Sequence, residues 1–178
     1  IQYLGAKVIL ISGKTDIEKP KNVKIISASD ADDFYKKTVS NLPCDVFISA
    51  AAISDWKSKK KVTEKIKKIR KEISITFKQN IDILEKISKH KKRPKLVIGF
   101  SAETSDLITN SKKKLLKKNC DWIIANNVKQ GKIFGSSKNT VSLITKNNIE
   151  NWPEMKKSKI AKKISKKIVN FFKKNKLI

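Results

Sequence analysis

Short apolar, β-branched runs alternate along the chain with stretches of helical periodicity. Residues 7–11 and 23–26 read as strands. Ser29 and Asp30 then cap a helix running to about Asn41, with Phe34 and Val39 turned inward. Residues 46–52 are apolar on both faces, the pattern of a central parallel strand. Residues 73–77 alternate weakly, and 81–89 form a helix with Ile83, Leu84 and Ile87 on one side. A second buried strand at 96–100 leads into a helix over 105–118, and 122–126 and 141–144 are further strands. Near the C-terminal end, Ile160, Ile164, Ile168 and Phe171/Phe172 recur about every four residues between lysines, which marks an amphipathic helix closing a sheet.

Strand and helix in alternation predict a doubly wound, mostly parallel, Rossmann-like α/β sheet with helices on both faces. Such a fold usually opens with a strand and a glycine-rich turn onto a helix. The five glycines here are scattered, and the first recognisable element is a helix end at Tyr3-Leu4-Gly5, with Gly5 suited to a left-handed cap. The first strand and its glycine-rich turn are therefore expected to be missing, and residues 1–178 read as one partial domain. No internal repeat and no Gly/Ser-rich linker divides it.

Composition alters this picture little. Hydrophobic residues make up 39%, as in a globular chain, and no apolar run approaches the roughly 20 residues that span a bilayer. A cytoplasmic protein with no membrane partner is expected, its two cysteines, Cys44 and Cys120, being free thiols. The single histidine, His90, lies in a polar lysine stretch, which argues against histidine acid–base chemistry. A net charge of +26 would suggest a nucleic-acid partner, but nearly all the positive residues are lysine, with Arg70 and Arg93 the only arginines. Lysine, isoleucine and asparagine are enriched together, as an AT-rich genome would produce, and the lysines spread over the whole chain. No nucleic-acid partner is therefore expected.

Seven segments, in order, resemble motifs of the phosphopantothenate–cysteine ligase family, which is often fused to an upstream decarboxylase. The similarity runs from Gly5 to about Lys162. Gly5-Ala6-Lys7-Val8 with Ile11-Ser12-Gly13 resembles the family's early junctions, and residues 45–56, ending in Asp55-Trp56, its strand closed by an aspartate and an aromatic. Glu64-Lys65-Ile66-Lys67-Lys68 resembles its K-x-K-K motif, Asn80-Ile81-Asp82-Ile83-Leu84 its N-P-D-I-L turn, and Gly99-Phe100-Ser101-Ala102-Glu103-Thr104 its G-F-A-A-E-T. Residues 114–126 resemble its lysine helix and D-x-I-x-A-N, and Phe134-Gly135-Ser136 its F-G-S. The chain departs at Ile81, where the family has proline, and lacks any S-N-x-S-S-G-K-M-G segment.

The resemblance implies CTP-dependent joining of 4′-phosphopantothenate to cysteine through an acyl-cytidylate, giving phosphopantothenoylcysteine. Lysines and Mg²⁺ would supply preorganised positive charge for this chemistry. It implies CTP contacts from Ser49, Ala50, Ala51, Asp55, Lys65, Ile81, Asp82, Ile83, Leu84, Phe100, Lys114 and Lys118. Lys65 takes the catalytic role, reaching the triphosphate from a lysine-rich flap, and Asp55 serves Mg²⁺ indirectly. A homodimer is implied, and FMN only where a decarboxylase domain is fused upstream. The chain alone is expected to bind CTP weakly and turn over little, so amide formation by it would refute that expectation. Two alternatives stay open on the residues themselves: a basic nucleic-acid-binding α/β module, or another Rossmann-like nucleotide-binding enzyme such as a nicotinamide reductase.

Overall fold

The computed structural model describes residues 1–60, 72–127 and 136–177. After a short 3-10 turn at Gln2–Leu4, Gly5 closes the turn with φ +88°, the left-handed conformation expected there. Strands β1 (Ile9–Ser12) and β2 (Lys24–Ser27) pair in parallel, and helix α1 (Ala31–Ser40) follows. Asp30 caps α1 by accepting from the Asp33 N–H at 3.0 Å.

The main sheet has five strands. Strands β3 (Val46–Ser49), β6 (Leu96–Glu103) and β7 (Trp122–Asn127) run parallel, and β8 (Lys138–Thr145) and β9 (Ile149–Lys156) add an antiparallel hairpin in the order β3-β6-β7-β8-β9. A separate antiparallel ribbon is made of β4 (Trp56–Ser58) and β5 (Phe77–Gln79). Three further helices complete the chain: α2 (Ile83–Ser88), α3 (Leu107–Lys118) and α4 (Lys157–Lys174).

Helices cover both faces of the sheet, as the alternating pattern predicts. On one face Leu96, Ile98, Trp122, Ile124 and Trp152 meet Ile160, Ile164, Ile168 and Phe172 of α4, the predicted four-residue stripe. On the other, Val97, Ile123 and Ala125 pack against Leu84 and Leu115 from α2 and α3. Gly99 allows that second layer to approach. A Cβ there would lie 2.6 Å from Leu84 Cδ2 and 2.9 Å from Ile123 Cδ1. The glycine thus fixes how closely α2 sits on β6.

One expectation requires correction. The apolar run 46–52 reads as a central strand, yet β3 ends at Ser49 and, among the described residues, pairs only with β6. It therefore borders the five-stranded sheet, and Ile48 is 39% exposed. Apolar character reports cover above and below a strand, whereas the pairing of its two edges is a backbone property that side-chain pattern does not encode.

Candidate functional site

Ligands of parallel α/β sheets bind beyond the C-terminal ends of the strands, so the loops leaving β3 and β6 are the first place to look. Ser49 closes β3 and stands opposite Gly99 in the register, one residue before Phe100. Ala50 and Ala51 follow, exposed and small, which lets a ligand reach the backbone. The loop then turns through Ile53, packed into the apolar cluster of α1 and α2, to the exposed Ser54 and Asp55. The Ser54 hydroxyl donates to the Trp56 carbonyl at 2.8 Å and fixes the bend into β4.

Residue 80 joins this loop to the next segment. The Asn80 N–H donates to the Asp55 carbonyl at 2.7 Å, and its side-chain Nδ2 donates to the Ser54 carbonyl at 2.7 Å. Ile81 leads into α2, which Asp82 caps by accepting from the Glu85 N–H at 2.9 Å. Ile83 and Leu84 are 8% and 7% exposed, so their side chains serve the core and only their backbone is free to meet a ligand.

The two lysines implicated on α3 have different surroundings. Lys118 Nζ lies 2.5 Å from Asp82 Oδ2 and 3.2 Å from Glu85 Oε2. Burial works to lower its pKa, but the hydrogen bonds and charges of Asp82 and Glu85 outweigh that, and the ammonium is held above the usual lysine value. Glu85 is correspondingly held below the usual carboxylate range, first by Lys89 and then by Lys118. Lys114 Nζ instead donates to the Phe100 carbonyl at 2.9 Å, a neutral acceptor, and has no ion-pair partner among the described residues. Phe100 itself is half-buried and packs against the core under α4, the alternative to a base-stacking role.

These contacts close a ring. The loop 49–55 is tied through Asn80 to the turn into α2, that turn through Asp82 and Glu85 to Lys118, and α3 through Lys114 back to Phe100 beside Ser49. The structure thus gathers Ser49, Ala50, Ala51, Asp55, Ile81, Asp82, Ile83, Leu84, Phe100, Lys114 and Lys118, residues far apart in sequence. Lys65 lies outside the described residues, as does the rest of its lysine motif. Sequence reading named Asn80 and Gly99 as motif residues without giving either a role, and passed over Glu85. An asparagine just before a capped helix is a turn signal, but nothing in the sequence says that its amide bridges back to residue 54.

Two grooves, of about 440 and 760 Å³, flank the β1–β2 pair and include no member of the ring. The candidate site lies instead where the charges and the end of β3 converge. Neither thiol joins it. Burial pushes the Cys44 pKa up and takes that of Cys120 to about 11, which leaves both as inert thiols at neutral pH. No group of three or more His, Cys, Asp or Glu side chains placed to hold a metal occurs among the described residues. Asp55, a single exposed carboxylate, suits an ion delivered together with a polyphosphate.

Comparison with known proteins identifies the family and the fold. Residues 1–172 match the family described as DNA/pantothenate metabolism flavoprotein C-terminal domain. The chain is 42% identical over 166 residues to the coenzyme A biosynthesis bifunctional protein CoaBC of Borreliella burgdorferi, covering 92% of this chain and 42% of that protein. It is 32% identical over 171 residues to the protein of that name from Haemophilus influenzae, covering 96% and 43%. The chain thus spans less than half the length of these relatives. Its fold superposes on a crystal structure of the C-terminal domain of CoaBC with a TM-score of 0.79 at 28% identity, covering 97% of this chain and 78% of that one.

Proposed function

The chain belongs to the family of DNA/pantothenate metabolism flavoprotein C-terminal domains, and from that membership we propose that it is the phosphopantothenate–cysteine ligase of coenzyme A assembly. The reaction has two steps. The carboxylate of 4′-phosphopantothenate attacks the α-phosphorus of CTP, forming an acyl-cytidylate and releasing pyrophosphate. The amino group of cysteine then attacks the acyl carbon, forms the amide and expels CMP. The observation that carries the reading is the ring itself, in which the Lys114 ammonium, with no ion-pair partner among the described residues, is held on the Phe100 carbonyl just beyond the end of β3, beside small residues.

Each group has a task that its position supports. Ser49, Ala50 and Ala51 give the nucleotide access to the backbone at the end of β3. The backbone of 81–84 borders the nucleotide at the start of α2, and Phe100, half-buried against the core under α4, contributes its carbonyl as the anchor of Lys114. Lys114 offers positive charge to the phosphates, which a preorganised site holds without reorganising during reaction. Lys118 is already neutralised by two carboxylates, so its share lies in holding the α2 turn against α3. Mg²⁺ bound with CTP would neutralise phosphate charge, with Asp55 as its protein neighbour. Lys65 is assigned to the triphosphate on the resemblance of its motif alone.

The protein acts in this reading as a cytoplasmic homodimer. Exposed apolar side chains support a self-contact: Trp56 and Phe77 of the β4–β5 ribbon are 59% and 58% exposed, and Ile73 and Ile75, which precede β5, 55% and 54%, apolar surface that a second copy would cover. No helix among the described residues is long and apolar enough to cross a membrane. The intact protein given 4′-phosphopantothenate, cysteine, Mg²⁺ and CTP is expected to yield phosphopantothenoylcysteine and one CMP per amide formed. Product formation that proceeds without CTP, or none with it, would overturn the proposal.

A further inference from the structure

We propose that Asn80 is the positioning residue of this site, the clamp that holds the Ser54–Asp55 backbone in register with the turn into α2. The inference rests on the nucleotide reading above and adds to it a residue that binds no substrate. The β4–β5 ladder ends at the pair Trp56 and Gln79. One step beyond, Asn80 continues it with both its donors. The backbone N–H takes the Asp55 carbonyl, and Nδ2 takes the Ser54 carbonyl, each at 2.7 Å. Two successive carbonyls of an exposed loop are therefore held by one residue. On its other side Asn80 runs directly into Ile81 and the α2 cap Asp82, which is locked to Lys118.

The second observation is an orphan. Asn80 Oδ1 is buried and has no hydrogen-bond partner among the described residues, an arrangement that costs free energy in the folded state. A side chain kept only to stabilise the fold would satisfy both ends of its amide. This one satisfies the end that reaches the loop and leaves the other unpaired, which fits a residue selected for where it places Ser54 and Asp55. Chemistry limits the replacements. Alanine removes the side-chain half of the clamp together with the orphan and keeps the backbone bond to Asp55, so folding should change little. Aspartate keeps the shape but presents an acceptor to the Ser54 carbonyl, which repels it.

The test uses the intact protein, with CTP titrated by calorimetry into wild type, Asn80→Ala and Asn80→Asp. Thermal unfolding and amide hydrogen exchange over residues 54–58 are measured on the same samples. CTP affinity is expected to fall about tenfold in both variants, the equivalent of one positioned hydrogen bond. Exchange over 54–58 should quicken, while the melting temperature of Asn80→Ala stays at the wild-type value. Unchanged CTP affinity in both variants, or unchanged exchange, would overturn the clamp. A melting temperature that falls in step with affinity would make Asn80 a fold residue and overturn the positioning role. Wild type that fails to bind CTP would sink the nucleotide reading and with it this role, and the exchange data would separate that failure from the failure of the clamp.

Discussion

At the scale of the residue, the two lysines of α3 show what sequence reading reaches and where it stops. Their i, i+4 spacing puts Lys114 and Lys118 on one helix face, as the sequence predicts for a phosphate grip. What it does not contain is the identity of their partners, because Asp82 and Glu85 arrive from another helix. A lysine already flanked by two carboxylates has less attraction to spare for a phosphate than one held by a carbonyl. Lys114→Ala is therefore expected to weaken CTP binding about tenfold or more, an ordinary loss for a hydrogen bond to a charged group. Lys118→Ala should lower thermal stability more than Lys114→Ala does, because it leaves Asp82 and Glu85 facing each other. Titration and thermal unfolding of the pair check this, and the reverse ranking in both would refute it.

At the scale of the element, buried-face periodicity was legible and edge structure was not. Helix α4 is read correctly from Ile160, Ile164 and Ile168 because a four-residue apolar repeat has one physical solution, a helix on a core. Strand β9 escaped notice because Pro153 and its polar neighbours argue against a strand. Proline is tolerated there because, among the described residues, β9 pairs on one side only, with β8. The brief β4–β5 ribbon is invisible for a similar reason, since three-residue strands carry no period. Ion pairs between elements were likewise out of reach. Lys167 of α4 pairs with Glu150 of β9 and, together with the Trp152 indole and Lys163, holds the Glu150 carboxyl below its ordinary value of 4.5. Glu85 between α2 and α3 is lowered in the same way from 4.5. Since both groups bind protons more weakly folded than unfolded, they stabilise the fold above that ordinary value and stop doing so as pH falls through their depressed folded values. Thermal stability should thus decline on acidification below about pH 4.5. In Glu150→Gln and Glu85→Gln together that decline should be shallower. An equally steep acid limb in the double variant would show that other groups carry it.

At the scale of the whole molecule, fold class was legible because strand–helix alternation leaves few topologies, whereas the candidate ring was suggested only by ordered motifs. The charge of +26 pulls the other way, toward any polyanion, and the described ion pairs, which engage Asp32, Asp33, Asp45, Asp82, Glu85, Asp121 and Glu150, do not offset it. A surface of spread lysines binds nucleic acid through counterion release, steeply weakened by salt, with no preference among nucleotides. A nucleotide site at the ends of β3 and β6 behaves differently, because small residues, backbone and one placed ammonium select a shape as well as a charge.

The decisive measurement is therefore CTP binding with Mg²⁺ at physiological salt, with ATP and a short oligonucleotide as competitors. The account predicts saturable binding that prefers CTP to ATP, withstands the oligonucleotide and collapses in Lys114→Ala. Binding that the oligonucleotide displaces, that ATP matches, and that Lys114→Ala leaves unchanged would contradict it.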